Sequence, residues 1–476
     1  MMKKWGRTVL LSLVAILLSG CFFRAPDDLY QLPQRSAGYK NLDQSIKTVR
    51  SYLESESGSS SEYAVIFSGE NTSTIQLQDL DGDGARETAI TFLRFPSAEK
   101  PIKICFFTRT GEDDFTYTGL IEGEGSAIYA VDYADLNGLG EKEIVVSWQL
   151  GTGLYQLGAY TLDEQIKEVG NTGEGQTGLV QIPGREELLA TQLLLASYSR
   201  YNLQDINQDQ RMEIVILRLN QSGNISTANV YGWRSGALVS MDTAILSNGI
   251  TSLDASEGNY VVGEPLAPAL YVSCTLADGT RATDILTYQD EKLTNLTLND
   301  ETGISREAVL SNMQVELTDI DRDGILEIPT PIPLKTSDGN SERSSTDFWL
   351  IEWGKYNLSG KRSTSTTTYH NHTDGWYLEI QEDWTRWLSI SRNDRTVGQR
   401  EVVFSRWMGE NREPERLLAV YKLTGPNRSA WATASNRFIL REDDDTIYAA
   451  ALYETGERYG MDEAQLRENF HLITRN

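Results

Sequence analysis

Gln78-Asp79-Leu80-Asp81-Gly82-Asp83-Gly84-Ala85-Arg86-Glu87-Thr88 is the first of four copies of one pattern in this chain of 476 residues. The other copies occupy residues 134–144, 204–214 and 318–328. We call them loops 1 to 4 and number each from its first aspartate, so that position 1 of loop 1 is Asp79. Short apolar or alternating runs flank every copy, which predicts a strand, a tight acidic loop and a second strand.

The spacing of the four loops predicts a repeat architecture. Successive loops begin 56, 70 and 114 residues apart, and the last interval is twice 57, as if an intervening copy had lost its acidic loop. Periods of this size are typical of repeat folds such as propellers, whose blades are four-stranded antiparallel sheets. We therefore expect a mainly β fold, with a β-propeller of about five blades, within a range of five to seven, over residues 62–360.

The end of the chain has a different pattern. Residues 365–476 contain apolar runs typical of strands but no acidic loop. Residues 461–470 predict a closing helix, with Asp462 and Glu463 in a favourable first turn. We expect a smaller C-terminal α+β domain here, with its boundary between residues 354 and 368.

The residue types in the loops suit a hard cation. Carboxylates at positions 1, 3, 5 and 9 of a tight turn could supply several of the six to eight oxygens that Ca²⁺ takes at about 2.3–2.6 Å. Glycine at position 6 lets the backbone turn sharply. The loop is not an EF-hand, because position 12 is Ile90 in loop 1 and Thr330 in loop 4, where an EF-hand needs glutamate.

The loop pattern resembles the calcium-binding loops of FG-GAP (integrin α-type) propeller repeats, which read Asp-x-Asp/Asn-x-Asp-Gly-x-x-Asp. Glutamate stands at the last position here. The resemblance implies structural Ca²⁺ at two complete sets of residues and, more weakly, at a third. The complete sets are Asp79, Asp81, Asp83 and Glu87, and Asp319, Asp321, Asp323 and Glu327; the weaker set is Asp205, Asn207, Asp209 and Glu213.

The loops are not equivalent. Loop 3 has Gln210 in place of the position-6 glycine, and loop 2 has Leu139 in place of the position-5 carboxylate, so we expect no metal in loop 2. The alternative interpretation is that the acids only decorate solvated turns, since aspartate and glycine are common there. If Ca²⁺ does bind, it would stabilise a hairpin and would not indicate catalysis.

The N-terminus predicts export and lipidation. Lys3, Lys4 and Arg7 precede an apolar run at residues 9–18, and Leu18-Ser19-Gly20-Cys21 follows. The run is too short to span a membrane and is typical of a secretory signal. Its end resembles the lipobox of bacterial lipoproteins, in which the cysteine is lipidated after cleavage just before it. We expect a signal peptide at residues 1–20, a lipidated tether with a short helix (residues 41–54) at residues 21–61, and a location on the extracytoplasmic face of the cell membrane.

The charge limits the partners. Cleavage after residue 20 would remove three basic residues and no acidic ones, so the net charge would fall from −25 to −28. A chain this acidic has no electrostatic reason to bind nucleic acid or an anionic lipid surface, so attachment would come from the lipid on Cys21. We expect a monomer that binds an envelope protein or glycan. Cys105 and Cys274 lie in apolar, strand-like runs and favour two buried thiols over a disulfide.

Catalytic residues are scarce. The only histidines are His370, His372 and His471; the first two fall in a polar stretch that predicts a surface turn. No nucleophile-elbow, zinc-protease or phosphate-loop pattern occurs. Trp376, Trp384 and Trp387 fit a domain core better than a carbohydrate-stacking face. The sequence thus favours a non-enzymatic binding or scaffold protein; the alternatives are an envelope polysaccharide hydrolase or lyase that uses paired carboxylates, and an envelope-assembly factor.

Overall fold

A computed structural model describes residues 37–111, 114–162, 188–220, 225–309, 315–334, 349–409 and 412–473. This part of the chain is mainly β, and its strands form six sheets. The predicted signal peptide and Cys21 lie outside the described residues. The chain divides into two compact units, the first comprising residues 1–130 and 176–190 and the second residues 131–175 and 191–476.

The sheets follow one another along the chain. Sheet 1 contains β1 (Glu62–Tyr63), β2 (Ile75–Gln78), β3 (Thr88–Arg94), β4 (Ile102–Arg109), β5 (Phe115–Gly123) and β9 (Leu188–Leu189). Sheet 2 contains β6 (Ala127–Ala134), β7 (Glu143–Gly151), β8 (Leu154–Thr161) and β10 (Thr191–Tyr198). Sheet 3 contains β11 (Arg200–Gln204), β12 (Glu213–Arg218), β13 (Thr227–Arg234) and β14 (Ala237–Ile245).

The second half of the chain forms the other three sheets. Sheet 4 contains β15 (Ile250–Val262), β16 (Ala267–Leu276), β17 (Arg281–Gln289), β18 (Lys292–Asn295) and β19 (Ala308–Val309). Sheet 5 contains β20 (Ile328–Pro333), β21 (Trp349–Tyr356), β22 (Arg362–Asn371), β23 (Trp376–Glu379) and β29 (Phe470–Leu472). Sheet 6 contains β24 (Leu388–Thr396), β25 (Gln399–Arg406), β26 (Glu415–Thr424), β27 (Arg437–Glu442) and β28 (Thr446–Leu452).

Four α-helices accompany these sheets in the described ranges. They are α1 (Ala37–Ser57), α2 (Arg428–Ala432), α3 (Glu454–Arg458) and α4 (Glu463–Asn469). Helix α1 confirms the helix predicted at residues 41–54 and extends it in both directions. Its apolar residues recur at helical spacing and are buried against sheet 1 in the first unit: Leu42, Ile46, Val49 and Leu53.

In the second unit, neighbouring sheets share apolar cores. Sheets 2 and 3 pack through residues such as Leu157 and Ile216, and sheets 3 and 4 through residues such as Val215 and Leu270. Sheets 4 and 5 meet around Tyr271. Sheets 5 and 6 form the core that contains Trp376 and Trp384, with Trp387 packed against it. The tryptophan cluster is therefore core, as predicted.

Each acidic loop lies at the start of a sheet. Loop 1 joins β2 to β3, loop 2 joins β6 to β7, and loop 3 joins β11 to β12. Loop 4 leads into β20. The strand expected before this loop is reduced to a single β-bridge, between Thr318 and Glu327. Sheet 4 has no acidic loop and occupies the long interval between loops 3 and 4, where the spacing predicted a copy without one.

The C-terminal region is organised differently from the expected separate domain. The predicted boundary at residues 354–368 falls on the β21–β22 hairpin, whose strands pair from Ile351↔Thr368 to Tyr356↔Arg362. The last strand, β29, returns to pair with β23 in the same sheet. Residues on both sides of the predicted boundary therefore share sheet 5, because ladder hydrogen bonds and the buried Trp353–Thr368 side-chain hydrogen bond join them.

The closing helix agrees with the sequence. Helix α4 lies within the predicted residues 461–470, and the Asp462 carboxylate accepts a hydrogen bond from the Gln465 amide at its N-terminus. Cys105 and Cys274 are buried thiols, as their apolar surroundings predict. Across the described segments, no helix is both long and apolar enough to cross a membrane.

Candidate metal centre

The four loops share one backbone conformation. Positions 4 and 6 have positive φ in every loop, as Gly82 and Gly84, Gly138 and Gly140, Gln208 and Gln210, and Arg322 and Gly324. The position-1 aspartate holds this turn by accepting two backbone N–H bonds. In loop 1, for example, Asp79 accepts from Gly82 at 2.8 Å and from Gly84 at 3.1 Å. Position 1 therefore has a structural task in each loop whether or not a metal is bound.

Position 6 of loop 3 is glutamine and not glycine, but the turn has the same conformation. Gln210 adopts φ +70°, the left-handed conformation that Gly84 and Gly324 adopt in loops 1 and 4. The side chain is exposed and the backbone N–H donates to Asp205 at 3.0 Å. A non-glycine residue in this conformation costs roughly 1–2 kcal/mol, so loop 3 keeps its shape at a cost in stability.

The position-9 glutamate points into the protein, and in loops 2 and 3 its carboxylate is fully hydrogen-bonded. Glu143 accepts from the Leu136 amide at 2.8 Å and from the Asn137 side-chain amide at 2.5 Å. Glu213 repeats the arrangement with Ile206 and Asn207. The position-3 asparagine thus supplies the donor that satisfies the second oxygen of the glutamate.

Burial changes the proton affinity of these two glutamates. Desolvation, followed by the charge of Asp135, raises the pKa of Glu143 to about 7. Desolvation, followed by the charges of Asp209 and Asp205, raises the pKa of Glu213 to about 8. Desolvation raises the pKa of the position-9 glutamate in loops 1 and 4 as well, so this effect is common to all four loops.

Loop 4 has aspartate at position 3 and obtains its positive charge from another strand. The ammonium of Lys355, on β21, lies 2.9 Å from Asp321, 2.5 Å from Asp323 and 3.5 Å from Glu327. Burial alone would lower the pKa of Lys355, but its hydrogen bonds to Asp321 and Asp323 outweigh this and raise the pKa. Lys355 is therefore charged at neutral pH and lies among three carboxylates of loop 4.

Loop 1 also has aspartate at position 3, but it has no equivalent of Lys355 among the described residues. Asp79, Asp81, Asp83 and Glu87 each place a carboxylate oxygen within 4.8 Å of the others. One buried oxygen of Glu87, Oε2, has no hydrogen-bond partner. Desolvation, followed by the charges of Asp81 and Asp83, raises the pKa of Glu87. The cluster thus concentrates negative charge around an unsatisfied acceptor.

These features fit a hard divalent cation in loop 1. All four side chains offer oxygen, the ligand atom that Ca²⁺ prefers, and a cation would satisfy Glu87 Oε2. A bound Ca²⁺ would also stabilise the ionised form of every carboxylate in the loop. Loop 1 could therefore hold a structural Ca²⁺.

The structure separates the predicted metal residues into three groups. The loop 1 set comes together completely. In loop 4, Asp319, Asp321 and Glu327 come together, whereas Asp323 falls outside that set and pairs with Lys355. The loop 3 residues lie in one turn, in which the Asn207 side-chain amide donates a hydrogen bond to Glu213.

The sequence contained a signal for part of this result. Asparagine at position 3 identifies the loops in which this residue donates a hydrogen bond to the position-9 glutamate. Aspartate at position 3 identifies the loops in which it cannot donate one. Lys355 carried no such signal, because it approaches loop 4 only through the pairing of β21 with β20.

His370 corrects a second prediction. It lies in strand β22 and not in a surface turn, with its ring stacked 4.9 Å from that of Tyr377. Burial, with a smaller contribution from His372, lowers the pKa of His370 to about 3. The imidazole is therefore neutral at physiological pH and packs as an aromatic ring, since the strand continues further than the polar sequence suggested.

Comparison with known proteins gives no family. No protein-family model and no curated protein matches the chain. Among solved structures, the crystal structure of the exotype rhamnogalacturonan lyase YesX aligns with 82% of this chain and 72% of its own, at 11% identity and a TM-score of 0.25. A likeness this low supports no conclusion about activity.

The strained position in loop 3 gives a prediction. We expect Gln210→Gly to raise the free energy of unfolding by roughly 0.5–1 kcal/mol, because glycine adopts positive φ without a steric penalty. Chemical denaturation monitored by tryptophan fluorescence would measure the change. Gln210→Ala is the matched control: it removes the same exposed side chain but keeps the Cβ, so it should give no gain. Equal effects of the two substitutions would contradict the explanation.

Proposed function

We propose that this protein is a lipid-anchored, extracytoplasmic binding or scaffold protein, and that Ca²⁺ bound in loop 1 stabilises its sheets. The unsatisfied Glu87 Oε2 among three aspartates carries the metal part of the proposal. In loops 2 and 3 the corresponding glutamate oxygen accepts a hydrogen bond from Asn137 or Asn207. In loop 4 Glu327 Oε1 also has no hydrogen-bond partner, but the Lys355 ammonium lies 3.5 Å from it. Loop 1 is then the described loop in which neither an asparagine amide nor a lysine ammonium faces the glutamate.

The role of this Ca²⁺ is structural. The loop connects β2 to β3, and β3 is almost wholly buried in the first unit, so fixing the loop fixes the start of a core strand. A ligand that binds only the folded state stabilises it by RT ln(1 + [L]/Kd), about 2.7 kcal/mol at one hundred times Kd. Without the ion, repulsion among the clustered carboxylates would lower the stability of the loop.

Repetition of the sheets supports a propeller-like arrangement in the second unit. Its five sheets succeed one another along the chain, and each shares an apolar core with the next. This is the packing expected of successive blades. A rigid array of this kind suits presentation of a binding surface to an envelope protein or glycan.

The N-terminal sequence supports the location. The run that ends at Leu18-Ser19-Gly20-Cys21 resembles a lipobox, and a diacylglycerol on Cys21 would hold the protein at the membrane. The strong negative charge of the chain fits a lipid anchor better than electrostatic attachment.

Calcium dependence is the first prediction of this proposal. Scanning calorimetry should show a higher Tm in Ca²⁺ than in a chelator, because the ion neutralises the loop 1 carboxylates. Asp81→Asn should abolish this difference and raise the Tm in chelator, since its amide could donate to Glu87 as Asn137 donates to Glu143.

Asp321→Asn is the matched control for that experiment. It changes the same position of loop 4, where Lys355 supplies the charge, and should leave the calcium-dependent difference in Tm intact. The proposal fails if the wild-type Tm ignores Ca²⁺, or if the two asparagine variants respond to Ca²⁺ alike.

Lipidation is a separate prediction. When the gene is expressed in bacteria fed labelled palmitate, the wild-type protein and Cys105→Ala should carry the label and Cys21→Ala should not. Cys105 is buried in sheet 1 and serves as the cysteine control. Label retained by Cys21→Ala, or absent from the wild type, would exclude the proposed anchor.

A further inference from the structure

Three basic side chains meet on one face of sheet 6. Residues paired across neighbouring strands point to the same face, and Arg392 pairs with Val402 while Arg400 pairs with Lys422. Two residues further along, that face is apolar and buried in the core shared with sheet 5, through Ile390, Val402 and Val420. The basic residues therefore lie where the buried face of the sheet reaches its end.

A buried carboxylate lies behind them. Asp374, in the turn between β22 and β23, is 2% exposed. Its Oδ1 is 2.7 Å from Arg400 and its Oδ2 accepts from Asn371 at 3.0 Å. The carboxylate is thus satisfied by one guanidinium and one amide.

The other two cations make longer ion pairs with Asp374. The Lys422 ammonium is 3.9 Å from the Asp374 carboxylate and donates instead to its backbone carbonyl at 3.1 Å. Arg392 is 3.7 Å from Asp374 and 3.6 Å from the half-exposed Asp394. Like charges opposite each other on paired strands repel, and Asp374 is the carboxylate that faces both Arg400 and Lys422.

These residues line a cavity of about 670 Å³. Arg392, Arg400 and Lys422 supply its positive charge, and Asp394 is the one acidic residue among its described lining residues. The other polar groups of the lining are hydroxyls and an amide, from Thr373, Thr396, Gln399 and Thr424. A positive cavity of this kind stands out in a chain with a net charge of −25.

The chemistry of the lining defines a ligand class. Guanidinium and ammonium groups bind carboxylate and phosphate oxygens through charge-assisted hydrogen bonds. Hydroxyl and amide side chains pair with ligand hydroxyls, and the volume is within the range of small-molecule sites. We propose that this cavity, the basic pocket, binds a small hydroxyl-bearing anion, with Arg400 and Lys422 as its main anion contacts. The proposal goes beyond the calcium loops and depends on neither the metal nor the anchor.

Isothermal titration calorimetry of the full chain in nonionic detergent tests the basic pocket. The probes are glucuronate for a carboxylate, glycerol 3-phosphate for a phosphate, and glucose as the neutral control. We expect saturable binding of at least one anion and none of glucose. The tighter of the two anions identifies the acid group, and either order supports the site. Failure of both anions to bind, or equal binding of glucose, would overturn it.

Variants place the binding in this pocket. Arg400→Gln and Lys422→Gln should each weaken anion binding by about tenfold or more, because each removes a charged hydrogen-bond donor. Arg395→Gln is the matched control, since Arg395 lies on β24, which pairs with the strand of Arg400, and is exposed outside the pocket lining. An equal loss in Arg395→Gln would show that only the overall charge matters and would refute the site.

Arg400→Gln could weaken binding by unfolding the protein, because Arg400 pairs with the buried Asp374. A variant at Val397 tests the pocket without this complication. Val397 lies at the tip of the β24–β25 hairpin, is 94% exposed and borders the pocket. Val397→Glu should weaken anion binding by repulsion without touching the Asp374 contacts, whereas Val397→Gln should not. Unchanged binding in Val397→Glu would count against the pocket.

Discussion

The glutamate at the end of each acidic loop, buried in loops 2 to 4 and half-buried in loop 1, is the constraint on which the repeat depends. A carboxylate removed from water must find hydrogen-bond donors or a positive charge, or it must take up a proton. Because the same turn places this glutamate in four sheets, the same requirement arises four times. Glu143 and Glu213 accept from an asparagine amide. Glu87 and Glu327 each keep one oxygen without a hydrogen-bond partner, and Lys355 lies 3.5 Å from that of Glu327.

The identity of position 3 decides which solution a loop can use. Asparagine donates to the glutamate, so loops 2 and 3 are complete without an ion. Aspartate only accepts and adds a further negative charge, so loops 1 and 4 concentrate more charge than loops 2 and 3. In loop 4 the ammonium of Lys355 offsets this charge. In loop 1 we propose that Ca²⁺ does so.

Much of the local structure could be predicted from the sequence, because it depends on short-range patterns. The strand, loop and strand units follow from apolar runs on both sides of the acids, and α1 follows from four apolar residues at helical spacing. The interval of twice 57 residues correctly predicted sheet 4 as a unit without an acidic loop. The helix α4 was predicted with Asp462 in its first turn, and Asp462 instead caps its N-terminus, which is a local interaction.

Features set by pairing between distant residues could not be predicted in this way. Lys355 reaches loop 4 because β21 pairs with β20, and β29 completes sheet 5 although it lies at the end of the chain. The basic pocket depends on the register that brings Arg400 opposite Lys422. In each case single-sequence patterns give the residue type but not its neighbour, so the candidate anion site was invisible before the fold was known.

Calcium stoichiometry tests the central claim most directly. Equilibrium dialysis of the full chain with radioactive Ca²⁺ should give one tightly bound ion, in loop 1. Lys355→Met should bind a second, because Asp319, Asp321 and Glu327 would then lack their ammonium. Two ions in the wild type, or no additional ion in Lys355→Met, would contradict the account in which a lysine and a calcium ion serve equivalent loops.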